Sequence, residues 1–341
     1  MPTDFLVREV LVPRTCTPSA ASHTYYLLSK CGYTTMEATR VIAEEFDVAS
    51  TAVTYGGLKD EDGVTDQLVG LPVGSTSHVT WEHVADDGRY LRLARHGYGL
   101  EPLKIGGLEG NAFRIVARNI DPSAAEQLSA RKRNFCFLNY YDIQRFGVPG
   151  GPRRTQHVGA ALLASRWDDA LAELVGLAAP ESPAAAAWTG SAQDYFRSLD
   201  PRTSSFYLAA YGSADWNAHL MAIVREVSGG SAVDLEVDGV PFAYLENIDR
   251  VREVLAGSPD LPYQRYNFEP DGISSRESSR PTVIQTQMAF GTAEPDEFFP
   301  GRCRVEIRFF LPSGCYATAA VRQLFRSDAL AAVTRGTDPL A

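Results

Sequence analysis

In the stretch AVTYGGLKD, residues 52–60, an alternating strand pattern gives way to a glycine turn. Val53 and Tyr55 alternate with smaller or polar neighbours, which is typical of a half-buried strand. The glycine pair that follows ends the strand and lets other backbone approach closely. The sequence therefore predicts that Asp60 lies just beyond a strand end. Taken alone, an aspartate in this position is also typical of a solvated or structural turn residue.

Patterns on either side of this stretch predict a first part that is rich in strands. Thr34 and Glu37 form a capping-box pattern with apolar residues at helical spacing after it, so we expect a helix over residues 35–46. Asp121-Pro122 joins a cap residue to a proline suited to the first helical turn, which predicts a helix to about Arg133. Alternating apolar residues predict strands at residues 5–12, 78–81, 90–95 and 112–118.

The second half of the chain has a different pattern. Residues 156–230 are rich in helical segments, and the last of these ends at Gly229-Gly230. Residues 258–279 contain three prolines and many polar side chains, which predicts a long loop. A strand around residues 305–309 and a helix over residues 316–325 follow. This order indicates one α+β domain interrupted by a mainly helical insertion.

Composition restricts the class of protein. With 341 residues, 45% of them hydrophobic and 22% charged, the chain has ordinary values for a soluble protein of two domains. No apolar run reaches the 18 or more residues of a membrane helix. The N-terminus has neither the basic start nor the apolar stretch of a signal peptide, so we expect a cytoplasmic location.

Cysteines, histidines and the general cofactor motifs point away from metal and nucleotide-cofactor chemistry. The five cysteines are odd in number and scattered, which favours reduced thiols over a disulfide framework. There is no Cys-x-x-Cys pair, and the six histidines form no cluster with ligand spacing. P-loop, Gly-x-Gly-x-x-Gly and Gly-x-Ser-x-Gly patterns are also absent from the sequence.

The charge balance argues against attraction of nucleic acid over the whole surface. Lys and Arg number 32 against 42 Asp and Glu, for a formal net charge of −10. Phosphate binding depends on Lys and Arg releasing counterions, so an RNA site would need a local basic groove. Arg131-Lys132-Arg133 and Arg153-Arg154 are candidates for it, although such short runs are also typical of a solvated helix end.

Together with Val64-Thr65 and Gln67, residues 55–60 resemble the signature around the catalytic aspartate of the TruD family of pseudouridine synthases. Five further blocks occur in the family's order and extend the resemblance over nearly the whole chain. They are Asp4-Phe5 with Arg8-Glu9, then His23 and Lys30; Leu108-Glu109-Gly110-Asn111-Ala112-Phe113; Asn139-Tyr140 with Gln144-Arg145-Phe146-Gly147; Ser213 with Trp216-Asn217; and Leu311-Pro312-Ser313-Gly314-Cys315-Tyr316-Ala317-Thr318 with Arg322 and Leu324.

This resemblance implies a fold and a reaction. The fold is an α+β pseudouridine synthase catalytic domain with a mixed or antiparallel sheet at residues 1–147 and 285–341, interrupted by a TruD-type insertion domain at residues 148–284. In the reaction, the bond from ribose to N1 of uracil is exchanged for a bond to C5, without a metal or organic cofactor. Asp60 would serve as a nucleophile toward C1′ or as a base at C2′, and both roles stay open.

The resemblance also implies a set of substrate-binding residues. Strand alternation places Asn111 and Phe113 on one face, where the ring of Phe113 is suited to stack on a displaced uracil. Lys59 could hold Asp60 ionised through charge pairing. Arg145 could contact an RNA phosphate or have a structural role, and core packing stays open for the aromatic members. The set comprises Phe5, Lys59, Asn111, Phe113, Gln144, Arg145 and Tyr316.

Several positions depart from the family pattern. Glu61-Asp62-Gly63 and then Asp66 stand where basic and apolar residues are common, which predicts an acidic rim around the site. Tyr141-Asp142 replaces Phe-Gly, Cys315 replaces Ser, and Gln323 replaces Glu.

These departures leave three functions open. The first is a pseudouridine synthase acting on RNA, with tRNA as the expected substrate. The second is a TruD-like enzyme that supplies pseudouridine for C-nucleoside biosynthesis from RNA or a uridine nucleotide. The third is a catalytically silent RNA-binding homologue. We expect RNA or a uridine nucleotide as the partner, neither DNA nor a membrane, and a monomer.

Overall fold

The alternating patterns of the first 138 residues form strands along most of their length. The computed structural model describes residues 1–59, 61–147, 151–269 and 271–326, and the statements below concern those residues. The elements of this part are β1 (Phe5–Val10), β2 (His23–Cys31), α1 (Thr35–Glu45), β3 (Thr54–Tyr55), β4 (Val64–Pro72), β5 (Thr80–Val84), β6 (Tyr90–Gly99), β7 (Gly110–Ile120), α2 (Pro122–Leu128) and β8 (Lys132–Leu138).

The middle of the chain is mainly helical, as its composition predicted, but two hairpins follow its longest helix. The elements are α3 (Thr155–Leu163), α4 (Trp167–Val175), α5 (Ser182–Ala186), α6 (Ala192–Ser198), α7 (Pro201–Ser228), β9 (Val233–Val237), β10 (Val240–Tyr244), α8 (Ile248–Gly257), β11 (Asp260–Glu269) and β12 (Gly272–Pro281). The chain then returns to the sheet through β13 (Val283–Phe290), β14 (Glu294–Pro295) and β15 (Cys303–Pro312), and α9 (Ala317–Leu324) follows.

The structure divides the chain into two compact units. In the described residues, the first unit is Met1–Phe135 with Thr286–Gly314, and the second is Cys136–Gln285 with residues 315–326. The chain leaves the first unit within β8 and returns to it within β13. The division predicted from the sequence, at residues 147/148 and 284/285, remains a prediction.

The first unit is built on one large mixed sheet. Its strand order is β5-β6-β2-β4-β1-β7-β15-β13-β8, with β3 added beside β4 and β14 beside β15. The central strand β1 pairs in parallel with β4 and antiparallel with β7. Most strands belong to this sheet and most helices to the second unit, so the predicted α+β class is confirmed.

Helix α1 covers the part of the sheet that precedes the predicted site. The Thr34 hydroxyl accepts a hydrogen bond from the Glu37 amide, and the Glu37 carboxylate accepts one from the Thr34 amide, which confirms the capping box. Ala38 and Ile42 are fully buried against Leu28 and Val69 of the strands. Because the cap fixes where the helix starts, its apolar face meets the sheet in one register.

Two sequence predictions were wrong. The helix expected to continue to about Arg133 ends at Leu128, because Ala130 takes a left-handed backbone conformation (φ 52°) and the chain then enters β8. The expected loop at residues 258–279 is a hairpin, in which β11 and β12 pair over their whole lengths. Phe268 of this hairpin is buried in the core of the second unit, so tertiary packing overrides its polar local sequence.

No helix within the described ranges combines the length and the apolar character needed to cross a membrane.

Candidate active site

The loop that leads to position 60 is held by hydrogen bonds from α1 and β4. The side-chain amide of Gln67 donates to the Gly57 carbonyl (3.1 Å). Thr35 holds Lys59 at both backbone groups, because its hydroxyl accepts from the Lys59 amide (2.7 Å) and its amide donates to the Lys59 carbonyl (3.1 Å). Lys30, which is fully buried, adds a bond from its ammonium to the same carbonyl (3.3 Å). Asp60 itself lies outside the described residues.

The backbone beyond position 60 is held as well. The Glu61 carbonyl accepts a hydrogen bond from the Gly32 amide (3.3 Å). Gly63 has a φ of +103°, and a Cβ there would lie 2.4 Å from the Phe5 carbonyl oxygen, so this position requires glycine. Directly after it, β4 begins its parallel pairing with β1. Lys59 and Glu61 are therefore both fixed relative to the central strands.

Lys59 belongs to a buried ion pair. Its ammonium lies 3.2 Å from the Glu9 carboxylate, and the two side chains are only 8% and 1% exposed. The second oxygen of Glu9 accepts a hydrogen bond from the Leu68 amide (3.1 Å). The first lies 3.4 Å from where a Cβ would stand at either Gly56 or Gly57. The charge pairing of Lys59 with Asp60 stays a prediction; among the described residues its partner is Glu9.

One face of the sheet carries buried polar side chains beside this pair. Lys30 lies opposite Thr65 in the register of β2 and β4, and Glu9 lies opposite Asn111 in that of β1 and β7. The Thr65 hydroxyl and the Asn111 carbonyl oxygen are buried and have no hydrogen-bond partner among the described residues. Buried polar atoms are nearly always paired, so these two are suited to accept a bond from a bound molecule or water. Asn111 is thus placed beside the pair.

Phe5 and Phe113 lie in the same part of the sheet and contact each other. Their ring centroids are 6.1 Å apart, and Phe113 also stacks on Phe309 at 5.3 Å. Phe113 is buried, and Phe5 is partly exposed. The arrangement supplies an aromatic wall, and stacking of Phe113 on uracil stays a prediction. Phe309 was not singled out from the sequence, although its strand alternation marked it as an inward residue.

The second unit contains the other predicted binding residues. Gln144 and Arg145 lie in a short 3₁₀ turn (Ile143–Phe146), where Gln144 is exposed. The Arg145 guanidinium donates to the Ser213 hydroxyl (3.1 Å) and lies over the ring of Phe206 at 5.4 Å. Arg145 therefore has a structural partner on α7 and also an exposed aromatic neighbour.

Tyr316 belongs to an aromatic cluster around Arg280. Its ring meets that of Tyr141 edge to face at 6.2 Å, and the Arg280 guanidinium lies 4.0 Å from the Tyr141 ring centre. Asn217 holds Tyr141 by accepting from its amide (2.9 Å) and donating to its carbonyl (2.8 Å). Burial raises the pKa of the neighbouring Cys315 thiol to about 11, opposed by the positive charge of Arg280. Sequence reasoning missed Arg280, because it follows the segment expected to be a loop.

Two of the departures from the family pattern have structural explanations. Asp142 is fully buried and is paired with Arg322 (2.7 Å) and with the Thr318 hydroxyl. The amide of Gln323 accepts from the Leu138 amide (2.8 Å) and donates to its carbonyl (2.9 Å). A carboxylate at position 323 would lack the donor. Both residues therefore fix α9 within the second unit.

Neither a metal cluster nor an open anion site stands out among the described residues. Within the described ranges, no group of three or more His, Cys, Asp or Glu side chains could hold a metal ion. A cavity of about 530 Å³ in the second unit is lined by Arg154, His157, Arg166, Asp169 and Glu173. Its arginines pair with its own carboxylates, at 2.5 Å and 3.0 Å. It therefore offers little unpaired charge to a ligand.

Comparison with known proteins first defines the fold. The crystal structure of a putative tRNA pseudouridine synthase D (TruD) from Methanosarcina mazei matches with a TM-score of 0.59 at 19% identity, over 96% of this chain and 93% of that one. At this identity the match shows that the two chains share a fold. The α+β pseudouridine synthase architecture expected from the sequence is thereby confirmed.

Sequence comparison then gives the family. The model of the family described as tRNA pseudouridine synthase D (TruD) matches residues 1–202. The tRNA pseudouridine synthase D of Geobacter metallireducens is 25% identical over 395 residues, covering 95% of this chain and 93% of its own. That of an Anaeromyxobacter species is 28% identical over 350 residues, covering 96% and 92%. The chain belongs to the TruD family, whose members are isomerases.

Proposed function

We propose that this protein converts uridine to pseudouridine in RNA and that tRNA is its substrate. The observation that carries the proposal is the held loop at residues 56–63. Hydrogen bonds fix the backbone at Lys59 and at Glu61, beside a sheet face that has an aromatic wall and polar atoms without a partner among the described residues. Flanking backbone that is already fixed needs no ordering when substrate binds, which is how preorganised sites lower barriers, and this supports Asp60 as the catalytic carboxylate.

The proposed roles follow from the chemistry of the isomerisation. The C1′–N1 bond breaks, a C1′–C5 bond forms, the C5 proton leaves and N1 gains a proton, so no atoms are lost and no oxidant is needed. Asp60 acts at the anomeric centre, as a nucleophile toward C1′ or a base at C2′. The Asn111 side-chain oxygen, unpaired among the described residues, accepts a hydrogen bond from the uracil N3–H. Phe5 and Phe113 form the apolar wall against the base.

The test uses the proton that leaves C5. RNA transcribed with [5-³H]uridine should release tritium to water with the wild type, and chromatography of the digested RNA should show pseudouridine. Asp60→Asn should abolish both signals. Asp62→Asn is the matched control, because Asp62 is exposed and two residues away, and it should retain activity. Full activity of Asp60→Asn would overturn the site assignment, and a wild type inactive on every RNA would overturn the function.

The narrower alternatives are outcomes of the same assay. Conversion of uridine monophosphate with a better kcat/KM than tRNA would favour a nucleotide substrate and a supply of pseudouridine for C-nucleoside biosynthesis. Binding of tRNA without conversion would favour the silent homologue. We further propose a cytoplasmic monomer with RNA as its partner; size-exclusion chromatography with light scattering tests the oligomeric state, and a mass twice that of the chain would overturn it.

A further inference from the structure

The β11–β12 hairpin of the second unit presents an unusual pair of arginines. Arg265 and Arg276 lie directly opposite each other in the antiparallel register. Both are exposed, and neither side chain has an ion pair or hydrogen bond with any described residue. Like charges placed directly across two strands destabilise a hairpin. A local cost of this kind calls for a compensating role, and an anionic ligand would supply it.

These arginines continue a line of aromatic side chains. Residues two apart on a strand point to the same face, so Tyr263 and Arg265 share a face with their partners Ser278 and Arg276. At the base of this face, Tyr263 meets Tyr141 (6.4 Å), and Tyr141 in turn meets Tyr316. We call the surface formed by Tyr263, Arg265, Asn267, Ser274, Arg276 and Ser278 the hairpin face.

The other charges of the hairpin do not neutralise this face. Glu277 lies next to Arg276 along the strand, so its side chain points to the opposite side, with Gln264. Glu269 lies on the hairpin face, but it is near the turn and four residues from Arg265 along the strand, and its carboxylate accepts a hydrogen bond from the Ser274 hydroxyl. Elsewhere in the second unit, exposed arginines such as Arg225 and Arg250 have carboxylate partners, at 2.9 Å and 2.7 Å. The hairpin face therefore combines two arginines that have no partner among the described residues with the aromatic ring of Tyr263.

We propose that the hairpin face binds a single-stranded segment of the RNA substrate. Aromatic rings beside unpaired arginines are the combination with which proteins hold single strands, through base stacking and phosphate contacts. At its base the face adjoins Tyr141, whose ring also meets that of Tyr316. The inference rests on the proposed function, since it names the part of the RNA that this surface holds.

The experiment compares two double variants with equal charge. Arg265→Ser with Arg276→Ser removes the unpaired cations, and Arg225→Ser with Arg250→Ser removes two paired ones; each pair lowers the net charge by two. Binding of tRNA and of a single-stranded oligonucleotide is measured by fluorescence anisotropy at several salt concentrations. The first variant can no longer neutralise two phosphates, so its plot of log K against log salt should become less steep by about 1.4. The slope of the second variant should stay unchanged. KM for RNA should rise in the first variant with little change in kcat.

Two further measurements keep the outcomes separate. The first variant should unfold at the wild-type temperature or above it, because a like-charge contact is removed. Arg265→Lys with Arg276→Lys should restore the salt slope. An unchanged salt slope in the Arg265→Ser, Arg276→Ser variant, or an equal reduction of the slope in both double variants, would overturn the inference. The proposed function would still stand if the wild type formed pseudouridine. A wild type that never forms pseudouridine would overturn the function itself.

Discussion

The buried pair of Lys59 and Glu9 gives the sharpest prediction about stability. Lys59→Met leaves the Glu9 carboxylate buried without its cation, and Glu9→Gln leaves the Lys59 ammonium buried without its anion. The two side chains are 8% and 1% exposed and 3.2 Å apart, so each single change should lower the free energy of unfolding by about 3–5 kcal/mol. The double variant should cost much less than the sum, because neither charge remains.

A double-mutant cycle measures this coupling, and an exposed pair supplies the control. Arg40 and Glu44 of α1 lie 3.5 Å apart but are 67% and 66% exposed. Their coupling energy should be about 0.5 kcal/mol or less, whereas that of Lys59 and Glu9 should reach about 2–3 kcal/mol. Hydrogen exchange in peptides from β4, measured at increasing urea concentration, reports the unfolding of the first unit separately from that of the second. In particular, the Leu68 amide, which donates to Glu9, should exchange faster in Glu9→Gln.

The coupling energy decides whether the reasoning holds. A value for Lys59 and Glu9 no larger than that of the exposed pair would show that water reaches the carboxylate, so that the ion pair does not hold the loop. A large coupling with unchanged kcat in every variant would separate the stability of the loop from its part in the reaction. We expect instead that Lys59→Met lowers kcat, because the loop it anchors leads directly to position 60.

Three other perturbations follow from local geometry. Gly63→Ala should cost more stability and activity than Gly106→Ala, since both have positive φ but only at Gly63 does the new Cβ meet backbone; equal effects in a urea and tritium-release comparison would refute this. A hydrogen bond from Arg118 lowers the pKa of Asp4, so its contribution is present above the ordinary value of 3.8 and is lost as pH falls below it. The difference in unfolding temperature between wild type and Arg118→Leu should accordingly shrink on acidification, and a constant difference would speak against the pairing. Because burial raises the pKa of Cys315 to about 11, iodoacetamide should modify it slowly at pH 8 and faster toward pH 11; mass spectrometry checks this, and a rate at pH 8 equal to that of the unfolded chain would contradict it.

The fold was predictable where the local pattern and the tertiary environment agree. Helix α1 has a cap, a capping box and an apolar face, and all three lie where the sequence indicated. The β11–β12 hairpin was missed because its strands have few apolar residues and contain prolines at positions 262 and 281. Its strand state depends on cross-strand pairing and on contacts such as that of the Phe268 amide with the Ser205 hydroxyl, 63 residues away. No window of local sequence contains that information.

The candidate site shows the same limit. Strand alternation was enough to place Asn111 and Phe113 on one face, and the structure has them beside Glu9 and Phe5. The partner of Lys59 could not be derived, because Glu9 is fifty residues away and meets it only through the pairing of β1 with its neighbours. Periodicity predicts which way a side chain points, whereas the identity of its partner is set by strand order.

Strand alternation corrects the expected acidic rim. Asp66 was grouped with Glu61 and Asp62 around the site, but it lies between Thr65 and Gln67 on β4 and therefore points to the opposite face of the sheet. There it pairs with Arg8 (3.1 Å) and accepts a bond from Ser29 (2.6 Å). Two exposed carboxylates remain of the three, and at physiological salt their field is screened within roughly 8 Å. The sequence argument against an RNA substrate is therefore weaker by one charge.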